Sequence, residues 1–323
     1  MKSLSEAPIK AGTGVFVRCD IDVPIENGNI AETFRLDKLL ETLKFIIEKG
    51  GIPLIAGHIG KPDGRFDEKF STKHLISYFN EKLGENKFEI LENLRFDPRE
   101  EQDDPEFAKE LASKAEIYVN ESFATCHREH TSIVELPKIL PSYAGFRLRK
   151  EIEALNKVIK TPEKPLIVVI GGAKLESKIP VIDKFLVTAD FVLLSSFLSA
   201  NWSKEIPQNL IISLNRDINS KDTDPETITV FKEKIKSAKT VLWAGPLGMY
   251  EKEEFIVGTR EIALEIAKVT EEKGIYSLVG GGDTISALDK LGLLGKFSFV
   301  STGGSAMLQY LAEGTLPGIT ALN

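Results

Sequence analysis

Cysteine is nearly absent: Cys19 and Cys126 are the only two among 323 residues. Two thiols cannot staple a chain of this length, so a disulfide scaffold is excluded and free thiols in a reducing compartment are expected. An excess of positive charge is also missing. The formal net charge is −7, which argues against nucleic acid as the main partner, because that footprint is basic. There is no long hydrophobic run. The most apolar stretch, Phe185 to Leu198, is interrupted by Asp190 and by Ser195-Ser196 and is too short and too polar to span a bilayer. The opening residues Met1 to Glu6 are polar and do not read as a secretory leader, so a cytoplasmic location is expected. Glycine (25) and proline (15) are too few for a collagen-like or low-complexity chain. Several familiar motifs are missing too. There is no CxxC, no zincin spacing among His58, His74, His127 and His130, no GxSxG elbow, no Walker A loop and no GxGxxG. A zinc site, a serine-hydrolase elbow, the common P-loop and the common dinucleotide fold therefore lack support.

What is present is an ordinary globular composition, 42% apolar and 28% charged, in a chain with room for about two domains of ~150 residues. Short apolar runs alternate with segments of helical period. Val15 to Val17, Ile52 to Ala56 and Ile117 to Val119 read as strands, with Leu36, Leu39, Leu40, Leu43, Ile46 and Ile47 forming one helix face before Gly50-Gly51. Asp104-Pro105 reads as an N-cap followed by proline in the first turn. The rhythm repeats at Leu166 to Ile170, Phe191 to Leu194, Thr240 to Trp243, Ile275 to Val279 and Phe297 to Val300, with a helix from Thr259 to Lys273. Such alternation means mainly parallel sheets covered by helices, an α/β class. A charged helix with Leu148, Ile152, Leu155 and Ile159 on one face, followed by Thr161 to Pro165, reads as an interdomain rod and linker.

Ligands of open parallel sheets bind beyond the carboxyl ends of the strands, so those positions carry the chemistry. In the first half they are charged: Arg18-Cys19-Asp20-Ile21-Asp22, His58-Ile59-Gly60-Lys61, Glu92-Asn93-Leu94-Arg95 and Asn120 to Arg128, with Arg35 opening the first helix. Cations from several strand ends suit a small polyanion. His127 and His130 read as hydrogen-bonding loop residues rather than metal ligands. In the second half the same positions are glycines: Gly171-Gly172-Ala173-Lys174, Ala244-Gly245-Pro246, Gly280-Gly281-Gly282-Asp283-Thr284 and Ser301-Thr302-Gly303-Gly304. Glycine lets backbone approach a phosphate, and the following helix offers unpaired N–H groups.

Taken together and in order, these segments resemble the phosphoglycerate kinase family through nearly the whole chain. Val17 to Pro24 is similar to V-R-x-D-F-N-V-P, His58 to Pro62 to H-L-G-R-P, Glu92 to Phe96 to E-N-L-R-F, and Asn120 to Arg128 to N-D-A-F-G-T-A-H-R. Pro141 to Phe146, Gly171 to Lys178, Trp243 to Glu251, Gly280 to Thr284, Ser301 to Gly304 and Leu316 to Leu322 fit as well. The resemblance implies two Rossmann-like α/β/α domains facing each other across a cleft and joined by a helix. The first would span residues 1–145 with a C-terminal return at 314–323, the helix and linker 146–162, and the nucleotide domain 163–313. It implies reversible phosphoryl transfer between 1,3-bisphosphoglycerate and ADP, giving 3-phosphoglycerate and ATP with Mg2+, by a cytoplasmic monomer that uses neither nucleic acid nor membrane.

Residue by residue, the resemblance places Asp20, Asp22, Arg35, His58, Lys61, Arg95 and Arg128 at phosphoglycerate. It places Gly171, Gly172, Lys174, Lys178, Glu251, Gly281, Gly282, Asp283 and Thr284 at the nucleotide, with Asp283 also at the metal. Arg35, Lys174, Lys178, Gly303 and Gly304 take the catalytic roles. The chain also departs from the pattern. It is short, without the usual strand and helix between Lys87 and Glu92 and without a larger piece between Ser195 and Trp243. Ser195 to Ser199 replaces G-G-G-M-A, Ala244 an asparagine, Ser305 a glycine, Ser177 and Asp22 an aspartate and an asparagine, and Lys61 an arginine. A trimmed adenine wall and loose base specificity are expected. The alternative is a degenerate homologue that binds anion or nucleotide without turnover. A dehydrogenase reading fails for want of GxGxxG.

Overall fold

The computed structural model describes residues 1–323, which divide into two compact units. Unit 1 comprises Met1–Ile152 and Thr315–Asn323, and unit 2 comprises Glu153–Gly314. No helix is long and apolar enough to cross a membrane.

Unit 1 is built from β1 (Gly14–Cys19), a small antiparallel hairpin β2 (Ile25–Glu26) and β3 (Asn29–Ile30), α1 (Phe34–Glu48), β4 (Ile52–Ala56), α2 (Ile76–Leu83), β5 (Glu89–Ile90), α3 (Pro105–Ala112), β6 (Ile117–Glu121), α4 (Thr131–Val134), α5 (Leu136–Ile139) and β7 (Ser142–Ala144). Its sheet runs β5-β4-β1-β6-β7, and every adjacent pair is parallel. The central β1 is covered on both faces, so Val15, Phe16, Val17 and Cys19 are all buried, as apolar residues of a central parallel strand are, and Arg18 among them is buried too. Helix α1 buries Leu36, Leu39, Leu43 and Ile46 and ends at Gly50 (φ +83°), where the left-handed backbone favours glycine. Asp104 caps α3 by accepting from Phe107 N at 2.8 Å, with Pro105 behind it. One expectation fails. The stretch between Lys87 and Glu92 does hold a strand: β5 is only two residues long, yet it pairs with β4 through Leu54↔Glu89 and Ile55↔Ile90. Two residues are too few to give a legible alternation.

The register brings the strand ends level. Arg18 lies beside Ala56 on one side and Asn120 on the other, so residues 20, 22, 58 and 122–128 leave the sheet on one edge. The chain's last segment, including α13 (Pro317–Thr320), returns here: Gly318 N donates to Cys126 O at 2.9 Å, and the Met1 amino group donates to Asn323 Oδ1 at 2.6 Å.

The division between the units falls inside α6 (Phe146–Lys160). Unit 2 follows with β8 (Leu166–Ile170), α7 (Ile179–Thr188), β9 (Phe191–Leu194), α8 (Ser196–Asn201), β10 (Leu210–Ile211), α9 (Pro225–Lys236), β11 (Thr240–Ala244), α10 (Val257–Lys273), β12 (Tyr276–Gly280), α11 (Gly282–Lys290), β13 (Phe299–Ser301) and α12 (Ser305–Glu313). Its six strands run β10-β9-β8-β11-β12-β13, all parallel. Strands β8 and β11 are buried along their whole length. The last strand begins at Phe299 rather than Phe297, because the chain leaves a 3-10 turn at Leu294–Lys296 and is still bending at Phe297 and Ser298.

Candidate active site

In unit 1 the strand ends assemble a basic crevice. Arg35, in the first turn of α1, donates from Nη1 to both carboxylate oxygens of Asp20 at 2.9 Å. This pairing raises the arginine's pKa, Asp20 being the main cause. Asp22 accepts from Gly60 N at 2.8 Å and holds its second oxygen 3.7 Å from His58 Nε2. Arg95 is positioned by the E-N-L-R turn. Asn93 donates to Ile59 O and Phe70 O at 2.8 and 2.9 Å and accepts from Arg95 N at 3.0 Å. Arg95 Nη1 then reaches Gly60 O at 2.9 Å, while Nε lies 3.0 Å from Glu101 Oε1 without hydrogen-bond geometry. Lys61 is exposed and Arg128 half-buried.

The imidazoles report the local field. Burial, reinforced by the guanidiniums of Arg18, Arg95 and Arg128 and by His130, holds His58 well below the usual histidine range. Burial and the same three arginines push His130 down to about 3. Burial, then Arg128, lowers His127. Three neutral histidines among three guanidiniums make a site that favours an anion. In the sequence Arg18 reads only as one of the strand-end charges and His130 only as a hydrogen-bonding loop residue. Arg18 is fully buried: it donates from Nε to Ser132 Oγ at 2.8 Å and from Nη1 to Cys19 O at 2.7 Å. Its place in the strand motif was the available signal, but burial of a guanidinium inside β1 is not visible in sequence. His130 sits 3.8 and 3.7 Å from Glu100 and Glu101.

In unit 2 the glycine turns interlock. A Cβ on Gly171 would overlap the carbonyl oxygens of Gly245 and Pro246, and one on Gly245 would overlap Gly171 O. Only glycine permits this approach of two chains. Gly172 (φ +86°) donates to Pro246 O at 2.7 Å. Thr284 is buried, and its hydroxyl accepts from Gly245 N at 2.9 Å, so it holds the turn while lining the trough beside it. Gly281 (φ +109°) and Gly304 (φ +51°) stand at the N-caps of α11 and α12, with Gly282 and Asp283 in the first turn of α11 and Gly303 immediately before Gly304.

A trough of about 280 Å³ runs across these turns, lined by Lys174, Lys178, Gly281, Gly282, Asp283 and Gly304 among others. Burial lowers the pKa of Lys178, Lys174 lowers it further, and Asp283 opposes both, so the two ammonium groups and the carboxylate share one field. Asp283 is the trough's single carboxylate, and no group of three or more His, Cys, Asp and Glu side chains could enclose a metal ion by itself. That donor set fits an ion carried on phosphate oxygens, as magnesium is, better than one caged by protein.

A second cavity, of about 390 Å³, opens beside the trough and shares Gly172, Ala173, Pro246 and Asp283 with it. Its apolar wall is Phe197, Ile218, Leu247, Met249 and Tyr250, with Glu251 at the edge. Despite the missing residues around it, the wall is present: the loop at Ile218–Lys221 supplies one side and is tied by Met249 N to Lys221 O at 2.8 Å. Phe197 lies in the Ser195 to Ser199 segment that replaces a glycine turn, but its place in an apolar wall is not visible in sequence, and Ile218 falls in no motif.

With this geometry in place, comparison with known proteins gives a consistent result. The family model described as phosphoglycerate kinase matches residues 7–205 and 183–314. A phosphoglycerate kinase of Leptospira biflexa is 33% identical over 390 residues, covering 99% of this chain and 97% of that one. The cytosolic phosphoglycerate kinase of Triticum aestivum is 34% identical, with 99% and 98% covered. The solved phosphoglycerate kinase of Coxiella burnetii superposes with a TM-score of 0.82 at 28% identity, covering 99% of this chain and 98% of that one. That of Pyrococcus horikoshii gives 0.85 at 26%, covering 100% and 98%. An alignment of 390 positions against 323 residues means that the shortening is internal.

Proposed function

The chain belongs to the phosphoglycerate kinase family, and from that premise we propose how its own residues carry the reaction. The family's reaction is reversible phosphoryl transfer between 1,3-bisphosphoglycerate and ADP, giving 3-phosphoglycerate and ATP. In the ATP-consuming direction the carboxylate of 3-phosphoglycerate attacks the γ-phosphorus, forming the acyl phosphate O–P bond as the bond to ADP breaks. A carboxylate is already an ionised nucleophile, so no general base is needed.

Unit 1 would hold phosphoglycerate through Arg35, His58, Arg95 and Arg128, with Lys61 at the rim, and Asp20 and Asp22 would orient Arg35 and His58. Unit 2 would hold the nucleotide phosphates on Gly171, Gly172, Lys174, Lys178 and the turns at Gly281-Gly282 and Gly303-Gly304, with Glu251 at the ribose. Phosphoryl transfer asks mainly for positioning and charge neutralisation. In unit 2, Lys174 and Lys178 would supply positive charge for the equatorial oxygens, and the backbone N–H groups after Gly304 would supply aligned dipoles; Arg35 is the catalytic cation proposed for unit 1. Asp283 would hold magnesium together with nucleotide oxygens; when bound, that ion neutralises phosphate charge. Thr284 acts through the turn it fixes.

The observation that carries this reading is the trough in which buried Lys178 shares the field of Lys174 and Asp283. A cytoplasmic location is the accompanying proposal, supported by the cytosolic wheat relative and the scarcity of cysteine, and a monomer is proposed with it. The test is a coupled assay for ATP-dependent phosphorylation of 3-phosphoglycerate with and without magnesium. Turnover that requires the ion supports the reading. ADP binding without any turnover would reduce the chain to a binding homologue.

A further inference from the structure

Glu100 is a carboxylate sealed from solvent beneath the basic crevice of unit 1. It stands in a 3-10 turn, Pro98–Gln102, and is 0% exposed. A charge cut off from water needs partners for both oxygens. Glu100 finds them on one residue of α4: Ser132 N donates to Oε2 at 3.0 Å and Ser132 Oγ to Oε1 at 2.6 Å. Both oxygens accept, which suits the ionised form. Arg18 is the countercharge, equally buried, with Nη2 3.9 Å from Oε1. His130 Nδ1 lies 3.8 Å from the same oxygen, and Tyr118 donates its hydroxyl to Ser132 O at 2.8 Å.

The hydrogen bonds through Ser132 run in one direction only. A guanidinium can only donate and a carboxylate can only accept. Arg18 Nε donates to Ser132 Oγ at 2.8 Å, so the single hydroxyl proton is committed to Glu100. Arg18 Nη1 is committed to Cys19 O at 2.7 Å. These two bonds fix the guanidinium plane and leave Nη2 facing His58 Nδ1 at 3.4 Å. The partner of one ring nitrogen decides where the proton sits on the other. His58 therefore accepts at Nδ1 and carries its proton on Nε2, on the side of the half-exposed Asp22, whose Oδ2 is 3.7 Å away. Burial, then the field of Arg18, Arg95, His130 and Arg128, keeps the ring uncharged at neutral pH.

We propose that Glu100, acting through Ser132 and Arg18, is a positioning residue that presents His58 to phosphoglycerate with its proton on Nε2. The proposal rests on reading the crevice as the phosphoglycerate site. Arg18 is fully buried, so its influence reaches a ligand through the histidine.

Nitrogen NMR of isotope-labelled histidine tests the first step on the wild type. The His58 signal, identified by its absence from His58→Ala, should show the proton on Nε2. A proton mainly on Nδ1 would overturn the proposal whether or not any further variant folds. Titration calorimetry with 3-phosphoglycerate then tests the chain. Ser132→Ala cuts it without changing charge and should weaken binding about fivefold, the worth of one hydrogen bond. Glu100→Gln should weaken binding too, whereas loss of a negative charge acting through the field alone would tighten binding of an anion. Both variants should let the His58 proton spread to Nδ1. Unchanged or tighter binding, or an unaltered His58 signal, would overturn the proposal. His58→Ala should weaken binding about tenfold, and Ser132→Ala added to it should have no further effect. A further fivefold loss in the double variant would mean that Ser132 acts on folding or on another ligand contact, and the proposal falls. If His58→Ala weakens binding while Ser132→Ala and Glu100→Gln do not, only the positioning role is lost. If His58→Ala leaves binding unchanged, the reading of the crevice as the phosphoglycerate site falls with it.

Discussion

Arg18 Nη2 lies 3.4 Å from His58 Nδ1. A guanidinium can only donate, so His58 Nδ1 is the acceptor and the ring proton sits on Nε2, the nitrogen nearest Asp22. The same proximity of positive charge opposes protonation of the ring.

This gives the first prediction. His58, His127 and His130 all have folded pKa values below the usual range, so the unfolded chain binds more protons as the pH falls through the unfolded histidine pKa. Their stabilisation is complete above that value and is lost on acidification toward the folded pKa. With its pKa near 3, His130 alone should remove ~2 kcal/mol between pH 7.5 and pH 5. Glu121, raised to about 7 by burial, acts in the opposite sense, so urea melts of wild type and His130→Gln should be compared as a difference. Parallel pH dependences in the two proteins would contradict the assignment.

The second concerns Lys174. Lys174→Ala should lower turnover by roughly two to three orders of magnitude, the usual loss for one charge-stabilising donor, with phosphoglycerate affinity nearly unchanged. Steady-state kinetics and direct binding measure the two separately, and equal losses in both would refute the role.

Asp22 carries a negative charge beside an anion site. Asp22→Asn keeps an oxygen acceptor for Gly60 N and removes the charge. Phosphoglycerate should bind roughly fivefold more tightly, a scale set by ~1 kcal/mol for one charge near the surface. Weaker binding by calorimetry would mean that the carboxylate is a needed acceptor.

The glycine turns divide into two kinds. Gly171→Ala should destabilise by more than ~2 kcal/mol, because its Cβ meets backbone that cannot swing aside, and Gly282→Ala, with nothing within 4 Å, should melt like the wild type. Equal melting temperatures would show that the Gly171 and Gly245 turns can part.

Much of the fold was legible because buried parallel strands are written as continuous apolar runs. Leu166–Ile170 and Phe191–Leu194 read to the residue, and Asp104-Pro105 gave its helix start. Strand β5 was legible only as the short apolar pair Ile90-Leu91 ahead of Glu92, since two residues carry no period. At the site, the strand-end charges and glycines were visible, and the family resemblance supplied their roles. Partnership was not visible: that Arg35 is engaged by Asp20, that Thr284 props Gly245, or that Arg18 is inside the sheet depends on contacts between segments far apart in the chain. The apolar wall of Phe197 and Ile218 was hidden for the same reason.

Gly318 tucks so closely against Cys126 and Ile133 that a Cβ there would collide with the isoleucine. The segment that makes this contact is translated only after all of Glu153–Gly314. On the ribosome, unit 1 therefore waits with α4 uncovered while unit 2 is made. A chaperone that shields this bare patch, or a nascent chain stalled before residue 315, would reveal the interval during which the first half to be synthesised is the last to be finished.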